Sequence, residues 1–213
     1  MAQPVTTPPE WRRRAEQARS WVPAAAPADQ PAADDTELGR LAAEGLAALD
    51  VDDAAVAADR AARCRAMVWD QPGDVAGVRI GPDQFVFAHA GRQPFNVLGT
   101  AALFLVRSFE AAGDDDDLAA AAELHDLTAA LGDDVWEWPE NAPVGLGAAV
   151  LYEATGELAF LATAERIADM LCETQSGDGS WSGDPALTAL AGRVLAESAD
   201  AVEAREGVDV DDE

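Results

Sequence analysis

The sequence predicts an all-α protein built from helical hairpins stacked side by side, with one irregular loop or short β-hairpin near 75–92. Apolar residues at helical spacing alternate with turn signals through most of the 213 residues. The turns also repeat, because GDDVW at 132–136 and GDGSW at 177–181 each end one helix and precede another. Helical units that recur at about 40–50 residues are typical of stacked hairpin arrays.

The first three predicted helices are separated by capping and breaking residues. Proline in the first turn and Trp11 mark a short helix, which a Pro/Ala-rich segment at 22–35 separates from the next. Thr36 is placed to cap the second helix, and Asp52 and Asp53 to begin the third. The predicted ranges are 9–21, 36–49 and 52–68.

Helical periodicity stops between Asp70 and Gln93, where the alternating QFVFA predicts a short hairpin or extended loop. Beyond Pro94 the helical periodicity resumes. The remaining predicted helices are 94–112, 116–131, 142–155, 157–175 and 184–204.

Two kinds of helix alternate in this second part. The helices that begin near Asn96 and Ala142 are apolar around most of their surface, whereas their partners have one charged face. This alternation predicts an inner layer of buried helices within an outer, half-exposed layer, which is the layout of an α/α toroid or of an open arc. The predicted organisation is a flexible N-terminal segment with a short helix (1–35), one α/α-hairpin domain (36–204) and a disordered acidic tail (205–213).

The stretch around the second turn resembles known repeats. Gln175 followed by SGDGSW resembles the Gln-Trp repeat of terpenoid cyclases and protein prenyltransferase β-subunits, and FLATAERIADMLCETQSGDGSW (160–181) is similar to a pattern of six-hairpin glycosidases. The resemblance implies that Gln175 caps an outer helix and that Trp181 stacks between hairpins. Asp178 is placed to hydrogen-bond the backbone of the turn. A full ring in these families uses about twice the helices available between 94 and 204, so either the arc is open or a partner chain completes it.

The charge excludes several classes of partner. The net charge is −26, and all 14 basic residues are arginine. Such a surface repels phosphate backbones and anionic lipids, so we expect no nucleic-acid partner and no membrane partner. Charge excess with ordinary apolar content indicates adaptation to a salty cytoplasm. Without a signal peptide or an apolar run of about 18 residues, the predicted location is cytoplasmic. Cys64 and Cys172 are read as buried thiols, and no metal site or cofactor is expected.

The richest candidate site is DDVWEWPENAP at 133–143. Aromatic faces beside carboxylates suit sugars, because rings stack on C–H faces while carboxylates accept hydrogen bonds from hydroxyls. Glu137 and Glu140 are candidates for acid/base catalysis, with Trp136, Trp138 and Asn141 as ligand contacts. The alternative is that both tryptophans are structural and both glutamates simply exposed.

The long 70–96 loop supplies further candidates, because connectors of this length are often lids or binding loops. His89 or Asp70 would assist catalysis, and Arg79 and Asn96 would contact the ligand. The run Asp114–Asp117 invites comparison with the aspartate-rich motifs of terpenoid enzymes, but its place at a helix start predicts capping.

These observations favour a protein that binds, and potentially processes, a small molecule at the Trp-bearing end of the arc, with carbohydrate as the favoured class. If it is an enzyme, a hydrolase or lyase acting on glycosides is expected. Two alternatives stay open: an isoprenoid-binding or terpenoid cyclase-like protein, and a non-catalytic partner subunit or scaffold. A homo-oligomer or a partner chain could complete the arc.

Overall fold

The computed structural model describes residues 7–23, 35–73 and 77–210, with the side chains of the last helix described as far as Arg205. This part of the chain contains eight α-helices and one two-stranded antiparallel sheet, which confirms the all-α prediction with a short hairpin. In chain order the elements are α1 Pro8–Trp21, α2 Glu37–Asp50, α3 Ala54–Trp69, β1 Gly77–Gly81, β2 Gln84–Phe87, α4 Asn96–Ala112, α5 Asp115–Ala130, α6 Ala142–Thr155, α7 Leu158–Thr174 and α8 Pro185–Val210.

The helices form two layers of hairpins. Helices α2, α4, α6 and α8 pack side by side in that order and form the inner layer. Their hairpin partners α3, α5 and α7 lie outside them. The outer partner of α8 is α1, so the fourth hairpin is assembled from the two ends of the described chain.

Helix α1 therefore packs against the helices of the domain that was predicted to begin at residue 36. Its apolar face buries Trp11, Ala15 and Ala18. On its polar face, Arg12 forms ion pairs with Asp200 at 2.5 Å and Glu203 at 2.7 Å on α8. At the other end of the chain, α8 continues to Val210, into the range predicted as an acidic tail. The predicted flexible residues 1–6 and 24–34, and the end of the tail at 211–213, lie outside the described residues.

Small residues allow the inner helices to approach closely. A side chain at Gly99 of α4 would clash with the backbone of Val144 in α6, and a Cβ at Gly147 would lie 2.9 Å from the Gly99 carbonyl oxygen. Because backbone meets backbone here, glycine is required at both positions. Ten consecutive residues of α6, 142–151, are buried, as expected for a helix enclosed on several sides.

The predicted caps are present. The Gly39 N–H donates to Thr36 Oγ1 at 3.1 Å, and the Val56 N–H donates to Asp53 Oδ1 at 3.2 Å. In the aspartate run, Asp114 caps α5, because the Asp116 N–H donates to its Oδ1 at 3.1 Å. The buried Asp117 carboxylate forms an ion pair with Arg65. Capping and pairing with an arginine account for the two ends of this run without a ligand.

Two glutamine side chains close the edges of the β-hairpin. The Gln71 amide accepts from the Arg79 N–H at 2.7 Å and donates to the Arg79 carbonyl at 3.2 Å. On the other edge, the Gln93 amide bonds the N–H and carbonyl of Phe87 in the same way, at 2.9 and 2.7 Å. Each side chain thus substitutes for a neighbouring strand at one residue, which protects an edge that could otherwise pair with another chain.

The GDGSW turn joins three helices. Trp181 is only 1% exposed, and its indole N–H donates to the Leu171 carbonyl of α7 at 3.1 Å. Asp178 accepts from the Ser180 N–H at 3.0 Å, as the turn requires. The Gln175 amide donates to the Gly179 carbonyl at 2.9 Å and to the Arg14 carbonyl of α1 at 3.1 Å. Gln175 therefore fastens α1 to the turn, whereas the resemblance implied a cap on the outer helix alone.

The connections that enter α4, α6 and α8 lie together at one end of the helices. Their described residues are 70–73 with 77–95, 131–141 and 175–184, and these connections are much longer than the two- and three-residue turns at the opposite end. We call the end that holds these longer connections the Trp-bearing end. No helix in the described part of the chain is long and apolar enough to cross a membrane.

Candidate functional site

The connection from α5 to α6 is shaped by two short 3-10 turns, Asp133–Trp136 and Pro139–Asn141. Gly132 enters the first turn with a φ of +95°, a value that side chains disfavour. The Asn141 side chain donates from Nδ2 to the Val135 carbonyl at 2.7 Å, and the residue is buried. Asn141, predicted as a ligand contact, thus holds one turn against the other.

The second turn touches the inner helices α4, α6 and α8 as well as the outer helix α7. Its position at the centre of the Trp-bearing end places Trp138 and Glu140 where the predicted binding site was expected. Trp138 and Glu140 share one neighbour, Arg92 from the connection that follows the β-hairpin. The guanidinium carbon lies 5.2 Å from the centre of the Trp138 ring, and Nη2 forms an ion pair with Glu140 Oε1. We name these three residues the Trp138–Glu140 site.

Two polar atoms of this site are enclosed and have no hydrogen-bond partner among the described residues: Trp138 Nε1 and Glu140 Oε2. One is a donor and the other an acceptor. Buried polar atoms are rarely left without a partner, so each requires an explanation such as a bound water or ligand.

The loop that carries Arg92 is fixed by contacts with the same α5–α6 connection. The Gly91 N–H donates to Asp134 Oδ2 at 3.1 Å. His89 adopts a positive φ of 55°, and its imidazole ring packs against Gly132, where an added Cβ would lie 2.6 Å from the ring. The predicted catalytic helper His89 therefore joins the two connections through its ring.

Trp136 and Glu137 lie in a different setting. They line an open groove along α7 with a volume of about 650 Å³. Arg166 lies over the Trp136 ring at 4.9 Å and is held by Asp133 at 2.7 Å. The other carboxylates that line this groove are Glu165, Asp169 and Glu173.

The two glutamates predicted as an acid/base pair thus have different partners. Glu137 lines the groove beside Trp136, while Glu140 is paired with Arg92. This arrangement supplies no observation in favour of joint catalysis by the two carboxylates, which stays a prediction.

The remaining predicted residues anchor the β-hairpin and α4. Asp70 and Arg79 form an ion pair at 2.7 Å beside the Gln71 amide. Asn96 is the first residue of α4, and its carbonyl accepts a hydrogen bond from Thr100 Oγ1 at 2.9 Å. These contacts give Asp70, Arg79 and Asn96 roles in the loop and helix start.

Arg92 is the residue to which sequence reasoning assigned no role, although it falls in the predicted binding loop. It lies 48 residues from Glu140 along the chain, so no local pattern pairs them. A usable signal is that basic residues are few beside the 40 acidic ones, and one of them stands in a glycine-containing loop next to the predicted site.

The described residues give no support for metal-dependent or thiol-dependent chemistry. The described residues include no group of three or more His, Cys, Asp or Glu side chains placed to hold a metal ion. Cys64 and Cys172 are free and buried, and burial raises the pKa of each thiol to about 12. Thiols with such pKa values are poor nucleophiles near neutral pH.

Comparisons of the chain with protein-family models, curated proteins and solved structures return no match. The resemblance to the Gln-Trp repeat accordingly rests on the residues 160–181.

Proposed function

We propose that this protein binds a neutral carbohydrate at the Trp138–Glu140 site. The observation that carries the proposal is the unpaired donor and acceptor, Trp138 Nε1 and Glu140 Oε2, together with the Trp138 ring face that Arg92 covers. The proposal concerns binding, and no catalytic step is assigned to the bound sugar.

Hydroxyl groups suit both atoms, because a hydroxyl can accept from the indole N–H and can donate to the carboxylate oxygen. An enclosed polar atom without a partner costs about 1–3 kcal/mol, so a ligand that satisfies both atoms removes a substantial penalty. Sugars combine hydroxyls with apolar C–H faces, and such a face stacks on an indole. A water molecule could satisfy the same atoms in the absence of ligand.

Arg92 is the cover that a sugar would displace. Its side chain is 61% exposed, so the guanidinium can move into solvent. An exposed ion pair contributes only about 0–1 kcal/mol, and an exposed cation–π contact about 0.5–1 kcal/mol. Opening the site is therefore inexpensive, and it uncovers both the indole face and the Glu140 carboxylate.

The charge of the chain favours neutral sugars over acidic ones. With a net charge of −26, the protein repels uronic acids and sialic acids except at high salt. The groove beside Trp136 and Glu137 begins in the same connection and offers carboxylates that accept hydrogen bonds from further hydroxyls.

The proposal is tested by calorimetric titration with glucose, galactose, mannose, N-acetylglucosamine and their β-linked disaccharides, in molar KCl. We expect saturable binding of at least one of these sugars. Trp138→Phe keeps an aromatic ring and removes the N–H, so binding should weaken by about 5–20-fold, the worth of one hydrogen bond. Glu140→Gln should weaken it similarly, whereas Arg92→Ala should strengthen it about two- to fivefold by removing the cover.

Trp69→Phe is the matched control, because Trp69 lies at the end of α3 and is 54% exposed. It should leave the affinity unchanged. Absence of binding for the whole panel in both the wild type and Arg92→Ala would refute carbohydrate binding. Equal affinities of the wild type, Trp138→Phe and Glu140→Gln would refute the site.

A further inference from the structure

A second concavity lies on the inner layer, at the end of the helices that is opposite to the Trp138–Glu140 site. It has a volume of about 590 Å³ and lies between the C-terminal halves of α2 and α4 and the facing side of α8. Three leucines supply most of its apolar side chains: Leu46, Leu49 and Leu103. Arg107 of α4 and Arg193 of α8 also line it. We call this cavity the inner basin. Helices α2 and α8 are the two ends of the inner layer, so the basin occupies the seam between them.

Both arginines present hydrogen-bond donors that no described residue accepts. Arg193 is 26% exposed, and its Nε donates to Glu197 Oε1 at the long distance of 3.5 Å. Its two terminal nitrogens have no partner among the described residues. Arg107 donates from Nη1 to Glu110 Oε2 at 2.7 Å, which leaves Nε and Nη2 without one. Guanidinium groups with free donors on adjacent nitrogens match the two oxygens of a carboxylate.

The inner basin is also closer to charge balance than the groove beside Trp136. Its two arginines face the lining carboxylates Asp50, Asp52 and Glu110, with Glu153 and Glu197 nearby. The groove beside Trp136 has a single arginine among five carboxylates. An anion that approaches the basin still meets the field of a chain with net charge −26, and molar salt screens that field.

We propose that the inner basin binds an amphiphilic carboxylate, with its alkyl or isoprenoid chain on the leucines and its carboxylate between Arg107 and Arg193. The lining residues include no aromatic side chain on which a sugar face could stack, whereas the leucines suit an alkyl chain. Because the basin spans the seam between α2 and α8, an occupant connects the two ends of the inner layer. Its binding should therefore also raise the melting temperature of the protein.

The test is calorimetric titration of the full chain in 2 M KCl with octanoate, decanoate and uncharged octanamide, below their micelle concentrations. One octanoate should bind per chain, and octanamide should bind at least about tenfold more weakly because it lacks the charge that the guanidiniums recognise. Decanoate should bind roughly 15-fold more tightly than octanoate, since it has two more methylenes and each buried methylene contributes about a fourfold gain.

Arg193→Gln and Arg107→Gln should each weaken octanoate binding by about tenfold or more and bring octanoate and octanamide closer in affinity. Arg63→Gln is the matched control, because Arg63 lies on the outer helix α3 and pairs with Glu37 at 3.2 Å. It should bind octanoate as the wild type does. Circular dichroism of each variant verifies the fold.

Three outcomes would overturn the proposal: no saturable octanoate binding, equal affinities for octanoate and octanamide, or wild-type affinity in both Arg107→Gln and Arg193→Gln. None of these three outcomes bears on the proposal that the Trp138–Glu140 site binds a sugar.

Discussion

Replacing Trp181 with alanine should destabilise the protein severely, because this indole is the largest fully buried side chain at the junction of α7 and α8. Its N–H donates to the Leu171 carbonyl at 3.1 Å and also reaches Thr174 Oγ1 at 3.3 Å. Its backbone N–H donates to Thr188 Oγ1 of α8 at 3.1 Å. The ring thus fills the space between two helices whose positions are fixed by other contacts, so the cavity left by truncation cannot collapse fully.

The expected loss follows from this geometry. Truncation of a buried tryptophan costs about 3–5 kcal/mol of unfolding free energy, which corresponds to a drop in melting temperature of roughly 6–20 °C for a chain of this size. Trp181→Phe retains most of the packing and should cost about 1–2 kcal/mol. The Leu171 carbonyl keeps a second hydrogen bond, from the Gln175 N–H at 3.0 Å, and so is not left unpaired.

The assay is urea unfolding in molar KCl, followed by far-ultraviolet circular dichroism. Trp69→Ala serves as the control, because this tryptophan is largely exposed and should change the unfolding free energy by less than about 0.5 kcal/mol. A soluble Trp181→Ala protein within about 1 kcal/mol of the wild type would refute the structural role of the GDGSW turn.

Three further predictions concern charge, thiols and pH. The melting temperature should rise by several degrees between 0.2 and 3 M KCl, because salt screens the repulsion of a −26 chain, and an unchanged value would contradict adaptation to high salt. Cys64 and Cys172 should react with a thiol reagent at least about 100-fold more slowly in the folded protein than in urea, and comparable rates would show that they are accessible. Partial desolvation and the nearby Glu197 carboxylate raise the pKa of Glu153, so the folded state holds this proton more tightly and loses stability as pH rises through the folded pKa. Glu153→Gln should therefore stabilise the protein slightly near pH 7 and not below about pH 4, and a gain that is independent of pH would contradict the assignment.

The helices of this protein could be predicted from the sequence because their signals are local. Thr36, Asp53 and Asp114 stand where helices begin, and Gly113 and Gly156 end α4 and α6 in the left-handed conformation. The two-layer arrangement was also predictable, because the apolar residues surround α4 and α6 but cover one face of α5 and α7.

The pairing of α1 with α8 was not predictable in this way. The two helices come from opposite ends of the chain, and the contact between Gln175 and the Arg14 carbonyl joins residues 161 positions apart. Nothing in the sequence near Trp11 distinguishes a helix that packs on the domain from one that stands apart. The Trp11 ring is buried only through the tertiary packing of α1 on the rest of the protein.

The residues of the candidate site could be chosen from the sequence, but not the contacts among them. Trp138 and Glu140 could be selected because aromatic rings beside carboxylates are chemically distinctive. The separation of Glu137 from Glu140 arises from the two 3-10 turns between α5 and α6, whose geometry depends on Gly132 and on the Asn141 hydrogen bond. Side-chain direction within such turns is not encoded by spacing in the sequence.

The proposed function is tested most directly by the indole N–H resonance of Trp138 in a proton–nitrogen NMR spectrum recorded in molar KCl. The resonance is assigned by its loss in Trp138→Phe. On titration with the neutral sugar that binds, this resonance should move downfield as the N–H gains an acceptor, while the indole resonances of Trp69 and Trp181 stay in place. A sugar that binds without moving the Trp138 resonance would contradict the proposed site, and a panel of neutral sugars that moves no indole resonance would contradict carbohydrate binding itself.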